Sequence, residues 1–180
     1  MPSTAPDPLL ARLSGHRWLV PLLADLAAHR GARFVELVNR LGLSRDSLTR
    51  TLAAATAQGW VMRNPGHGHP LRPEYILTEA GEAAAMRAAT IAGAQAAIGL
   101  PPGGATRWGL PLVAGIGAGH DRFNALSRLL APATPRALSQ GLTALGRHGL
   151  VTRDLIDTRP PASRYGLTGK GKLLAAACTN

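Results

Sequence analysis

The chain has 180 residues, 46% of them hydrophobic, with one cysteine and 20 Lys and Arg against 10 Asp and Glu. A lone Cys178 excludes an internal disulfide framework, no stretch reaches the roughly 20 apolar residues of a membrane span, and the Pro-rich start lacks the apolar core of a signal peptide, so a cytoplasmic, soluble protein is expected. The net charge of +10, carried by 18 Arg and 2 Lys, points to a polyanionic partner, nucleic acid ahead of an anionic membrane.

Residues 1–8 read as a flexible leader. From Leu9 to His29 apolar residues recur at helical spacing. Proline is tolerated in the first turn of a helix and costly deeper in one, so Pro21 predicts a break near Gly15 and a new helix from about Trp18. Phe34, Leu37 and Val38 mark one face of a short helix. After the turn Arg40-Leu41-Gly42-Leu43, Ser44 is a suitable N-cap for a helix running to Gln58, with Leu48, Leu52 and Ala55 inward and Gly59 as its stop. Residues 60–63 and 74–77 read as two strands around a Pro/Gly-rich loop, and Thr78 caps an Ala-rich helix over residues 79–98. Pro101-Pro102-Gly103-Gly104 interrupts the pattern.

The same order then returns. Arg17-Trp18-Leu19-Val20-Pro21-Leu22 reappears as Arg107-Trp108-Gly109-Leu110-Pro111-Leu112, Arg33-Phe34 as Arg122-Phe123, and Tyr75-Ile76-Leu77-Thr78 as Tyr165-Gly166-Leu167-Thr168. The offset is 90 at both ends and 89 in the middle, too long for a solenoid unit of roughly 20–50 residues, so the period is that of a duplicated domain. In the second copy Thr134 is the cap, Pro135 the first helical residue, Leu138, Leu142 and Leu145 the inward stripe, and Gly149 the stop. The expected division is a leader over 1–8, a first domain over 9–98, a linker over 99–105 and a second domain over 106–180. Residues 1–90 hold 10 Arg against 7 acids, +3, and residues 91–180 hold 10 Arg and Lys against 3 acids, +7.

Two short helices joined by a tight turn describe a helix-turn-helix, and a following hairpin describes a wing. The expected class is therefore mainly α with small β-hairpins (α+β), as tandem winged helix-turn-helix domains. The capped second helix of each copy has the width and N-terminal potential to enter a DNA major groove.

The stretch Thr134 to Arg153 resembles the recognition helix and first wing strand of the HxlR-type winged-helix transcriptional regulators. Arg122-Phe123-Asn124-Ala125-Leu126 is similar to that family's "RFNEL" helix, and Tyr165 to Gly171 to its wing exit. The first copy matches less closely through Arg33 to Leu37, Ser44 to Gly59 and Tyr75 to Gly81. Members typically carry one such domain and act as homodimers. The resemblance therefore implies a monomer that works as an intramolecular pseudo-dimer, its terminal helices forming a shared interface and its half-sites about one helical turn, roughly 34 Å, apart.

The implied function is sequence-specific binding of double-stranded DNA in transcription regulation, within the nucleoid, with RNA polymerase or another regulator as a protein partner. The inward stripes leave Arg45, Asp46, Thr49 and Arg50 outward in copy one, and Pro135, Arg136, Ser139, Gln140 and Thr143 outward in copy two. Arg suits guanine and Gln suits adenine as bidentate partners, while Asp46 suits a cytosine amino group and opposes phosphate. On the wings, Arg63, His67, His69 and Arg72 face Arg153, Arg159 and Arg164 as candidate phosphate or minor-groove contacts.

His67-Gly68-His69 lacks the third and fourth ligands of a metal site, so neither metal nor cofactor is assigned. Gly115-Ile116-Gly117-Ala118-Gly119 has no preceding strand, and Gly166 to Lys172 lacks phosphate-loop spacing. No Ser/His/Asp or paired-carboxylate set recurs in both copies, and no enzyme is expected. Trp18 and Trp108 are expected to pack in the core. The alternative function is a winged-helix interaction module whose first domain has exchanged DNA reading for protein docking or dimerisation, a reading that Asp46 and the smaller charge of the first half motivate.

Overall fold

The computed structural model describes residues 7–64, 74–156 and 162–179. Helices α1 (Pro8–Leu13) and α2 (Leu19–His29) lead through a two-residue strand β1 (Ala32–Arg33) to helices α3 (Phe34–Leu41) and α4 (Arg45–Ala57). Strands β2 (Val61–Asn64) and β3 (Glu74–Leu77) and helix α5 (Glu79–Ala97) follow. The order then recurs as α6 (Gly109–Gly117), α7 (Phe123–Leu129), α8 (Pro135–Arg147), β4 (Val151–Ile156), β5 (Ala162–Leu167) and α9 (Gly169–Thr179). The class is α+β, and each copy is a helix-turn-helix with a hairpin behind it.

The contacts divide the chain into two compact units, Trp18–Gly93 and a second made of Met1–Arg17 with Ala94–Asn180. Helix α1 thus packs with the second copy, against α6. Asp7 caps it, accepting from the Leu9 and Leu10 amides, and Pro8 is its first residue, one position inside the expected leader. The break before Pro21 lies where the sequence places it: α2 starts at Leu19 with Trp18 at its N-cap, and α6 starts at Gly109 with Trp108 there.

In the first unit β1, β3 and β2 form a three-stranded antiparallel sheet, with Arg33 opposite Glu74 and Arg63 opposite Tyr75. Strand β1 is absent from the sequence reading because two residues are too few to show alternation. In the second unit β4 and β5 form a longer hairpin, with Arg153 opposite Tyr165, and the place of β1 is reduced to a single bridge between Arg122 and Arg164. The Leu stripes are inward as expected: Leu48, Leu52 and Ala55 are buried in one copy, and Leu138, Leu142 and Leu145 in the other.

One joint recurs in both units. Helix α4 ends on Gly59 (φ 71°) and α8 on Gly149 (φ 66°), a left-handed backbone that glycine adopts without the steric cost of a side chain. Trp60 N–H donates to the Ala55 carbonyl and Leu150 N–H to that of Leu145, closing both helices. The next carbonyls are claimed by a threonine. Thr78 donates through Oγ1 to Gly59 O at 2.6 Å and through its amide to Trp60 O at 3.0 Å, while its Oγ1 accepts from Gly81 N–H at 3.0 Å. Thr168 repeats all three bonds with Gly149, Leu150 and Gly171. The approach is so close that a Cβ on Gly81 would overlap the Trp60 carbonyl, and one on Gly171 the Leu150 carbonyl.

Gly81→Ala and Gly171→Ala should each therefore lower unfolding stability by about 1–3 kcal/mol, because backbone rather than a flexible side chain must yield. Gly93→Ala, inside α5 with nothing within 4 Å of the new methyl, should raise it by about 0.5–1 kcal/mol. Chemical denaturation of the three variants separates the two effects, and a neutral Gly171→Ala would contradict the close approach.

Candidate nucleic-acid interface

The first candidate surface is built from α3, its turn and α4. Helix α3 ends on Gly42 in the left-handed conformation, and Leu43 buries its side chain beneath the turn. Ser44 then caps α4 by accepting from the Ser47 amide at 3.2 Å. With Leu48, Thr51, Leu52 and Ala55 buried, Arg45, Asp46, Thr49 and Arg50 are all exposed. Thr49 Oγ1 donates to the Arg45 carbonyl and keeps its lone pairs outward, and Arg50 Nε donates to the Asp46 carbonyl at 3.3 Å. Behind this surface Arg40 of α3 grips Asp25 of α2 with two bonds, Nε–Oδ1 at 2.9 Å and Nη2–Oδ2 at 2.7 Å. The hydrogen bond to Asp25 holds the Arg40 pKa above its ordinary value.

The second reading surface has the same frame with different side chains. Thr134 caps α8 through the Ala137 amide at 3.2 Å, and Pro135 occupies the first helical position, where a missing N–H costs nothing. The turn from α7 spans residues 130–133, two residues longer than the turn between α3 and α4 as the helices are bounded. Gly141 stands where copy one has Thr51, and the Leu112 side chain fills the space. Pro135, Arg136, Ser139, Gln140 and Thr143 are all exposed on the opposite face. No acidic residue lies in the first turn of α8, whereas Asp46 lies in that of α4, so the positive potential of the helix end is opposed only in copy one.

The wings are less uniform than expected. Arg63 and Arg153 are exposed on β2 and β4, Arg153 donating to Ser163 Oγ at 3.0 Å. Arg164 is half exposed, and its Nε is tied to Asp121 Oδ2 at 2.9 Å, so that guanidinium also anchors the start of the wing to the α6–α7 connection. His67, His69, Arg72 and Arg159 lie outside the described residues. Arg128, exposed on α7, the first helix of this helix-turn-helix, and bonded to its own helix at the Asn124 carbonyl, is a further surface cation that the motifs do not single out.

Trp18 and Trp108 are half-buried rather than core residues, because an N-cap side chain lies at the rim of its helix. The Arg107 guanidinium lies 5.4 Å from the Trp108 ring centroid, and the buried tryptophan is Trp60. Among the described residues no group of three or more His, Cys, Asp or Glu could hold a metal ion, and no helix is long and apolar enough to cross a membrane.

The family model for the HxlR-like helix-turn-helix matches residues 13–92 and again residues 105–180. The chain belongs to the HxlR-like helix-turn-helix family. Each match spans one helix-turn-helix and its wing, so the chain is a tandem pair of HxlR-like domains. It is 38% identical over 69 residues to a protein of Bacillus subtilis (strain 168) described as an uncharacterized HTH-type transcriptional regulator, YvaP. That alignment covers 38% of this chain and 64% of the relative. No solved structure matches.

Because both reading helices rest on one side-chain cap, Ser44→Ala and Thr134→Ala should each cost about 1 kcal/mol in stability. Replacement by Asp, which can also accept from the amide, should restore most of that loss, and urea denaturation reads both changes.

Proposed function

We propose that the chain is a sequence-specific double-stranded DNA-binding regulator of transcription, reading its target with α4 and α8 and with the two wings. The observation that carries this reading is the pair of capped helices whose apolar sides are buried while their polar sides stand in solvent: Arg45, Asp46, Thr49 and Arg50 on one, Pro135, Arg136, Ser139, Gln140 and Thr143 on the other. Nine exposed positions, eight of them carrying hydrogen-bonding side chains of five types, supply base-edge partners, and Arg63, Arg153 and Arg128 supply phosphate partners. A net charge of +10 supports the same partner.

In this account the chain works as a monomeric pseudo-dimer in the nucleoid-bearing cytoplasm, with RNA polymerase or another regulator as its protein partner. The two faces differ, Arg45-Asp46 against Pro135-Arg136, and Thr49-Arg50 against Ser139-Gln140, so the preferred site is asymmetric. Asp46 favours a second reading in which the first domain serves docking or dimerisation and the second domain alone reads DNA.

Affinity for a selected genomic fragment should fall by about a thousandfold or more between about 50 and 200 mM salt, since each released counterion adds to the slope. Absence of specific binding at about 100 mM salt would overturn the regulator reading. Arg136→Ala should cost roughly 1–3 kcal/mol and relax preference at one base pair, which binding to a library of single-base variants measures. A uniform loss across the library would place Arg136 on phosphate instead.

A further inference from the structure

Away from the exposed faces of α4 and α8, the two copies differ in charge at one place between helices. In the first unit Asp25 of α2 and Arg40 of α3 clamp the two helices with a bidentate ion pair, Asp25 being only 10% exposed in its side chain. In the second unit the corresponding residues are Gly115 of α6 and Leu129 of α7. Both charges are gone, and so is one entire side chain. Beside this replacement lies a cleft of about 350 Å³, with Gly115, Leu129 and Ala118 on its wall. Helix α1, which packs on α6, contributes Ala11, and the end of α9 contributes Thr179.

We propose that this cleft is a binding site for a small, uncharged aromatic molecule bearing one hydroxyl group. The volume lies at the low end of ligand pockets, about 300–1,000 Å³, and suits one or two fused rings. Among the described residues the lining contains no Lys, Arg or His, so an anion meets no counter-charge from them. Its one carboxylate, Asp7, already accepts from the Leu9 and Leu10 amides as the cap of α1, and would repel an anion further. The polar handle is Thr179: its Oγ1 donates to the Ala175 and Ala176 carbonyls, which leaves lone pairs to accept from a ligand hydroxyl. Glycine and alanine on α6 and α1 keep the walls low, as a flat ring requires. At the corresponding place in the first copy a ligand would have to displace the bonded Asp25–Arg40 pair, and leaving either charge unpaired is costly.

Binding at this cleft stands independently of DNA reading. It has a consequence for that reading, because the α7 wall continues through residues 130–133 directly into α8, the helix that carries Arg136 and Gln140.

The test uses the full chain with 2-naphthol as the neutral probe and 2-naphthoate as its anionic counterpart. Titration calorimetry should give one saturable site per chain of sub-millimolar affinity for 2-naphthol and none for 2-naphthoate. Ring-current shifts should fall on the methyl resonances of Leu129 and Leu130. Ala118→Trp and Ala11→Trp, both at exposed positions whose side chains line the cleft, should each weaken binding by at least about tenfold, 1.4 kcal/mol, with the helical circular dichroism unchanged. No saturable heat up to the solubility limit, equal binding of the two probes, undiminished binding in a folded variant, or shifts confined to other methyls would overturn the proposal.

Discussion

The placement of each hairpin depends on how the end of α4 or α8 is joined to the strand that follows it. A helix leaves its last carbonyls without intrahelical partners, and side chains or following amides must satisfy them. Here the chain turns through a left-handed glycine, and one threonine then takes the carbonyls of Gly59 and Trp60, or of Gly149 and Leu150, while receiving the amide of Gly81 or Gly171. Four elements thus meet at one side chain: the reading helix, both wing strands and the helix that follows. Each bond is worth only about 1 kcal/mol net, and three of them converge on one residue. The two glycines at the third position after threonine complete the joint, because no larger residue clears the carbonyl above it.

Around that joint the duplicated copies have been free to diverge. What they share is frame: a proline in the first turn, a Ser or Thr cap, buried leucines at helical spacing, a glycine stop and the threonine joint. Differences fall on the exposed helix faces, in the strands and the helix-joining turn, and at internal positions such as Asp25–Arg40 against Gly115–Leu129. The Asp25–Arg40 clamp stiffens the junction of α2 and α3 with charge, whereas Gly115 and Leu129 leave the corresponding junction of α6 and α7 held by apolar contact alone. Arg164 and Glu74 show the same drift at the wing: each sits opposite an Arg of the preceding strand position, but only Glu74 complements it directly, at 3.9 Å from Arg33, while Arg164 turns to Asp121.

Much of this was legible in the sequence because it depends on local rules. Caps at Ser44 and Thr134, glycine stops, Leu spacing and the Pro21 break each follow from one residue type at one position, and the matching order of motifs carried the family resemblance. The exposed faces of α4 and α8 follow from the same periodicity read in reverse. What the sequence hid was non-local. Strand β1 is defined by its partner at Glu74 and Tyr75, not by its own two residues. The pairing of Arg164 with Asp121 joins residues 43 positions apart, so a wing arginine that looked free is engaged. The contact of α1 (Pro8–Leu13) with α6 (Gly109–Gly117) spans more than half of the 180-residue chain, and no periodicity in either helix announces it. The half-buried placement of Trp18 and Trp108 arises from cap geometry, which hydrophobicity alone misjudges.

The central claim is that one chain carries two DNA-reading surfaces of unequal chemistry. Hydroxyl-radical footprinting of a selected genomic site, with the protein-to-DNA stoichiometry fixed by analytical ultracentrifugation, tests it most directly. The account predicts one chain per site and two protected segments, of which only one shrinks when Arg136 is replaced by Ala. A single protected segment, or two that require two chains, would contradict it.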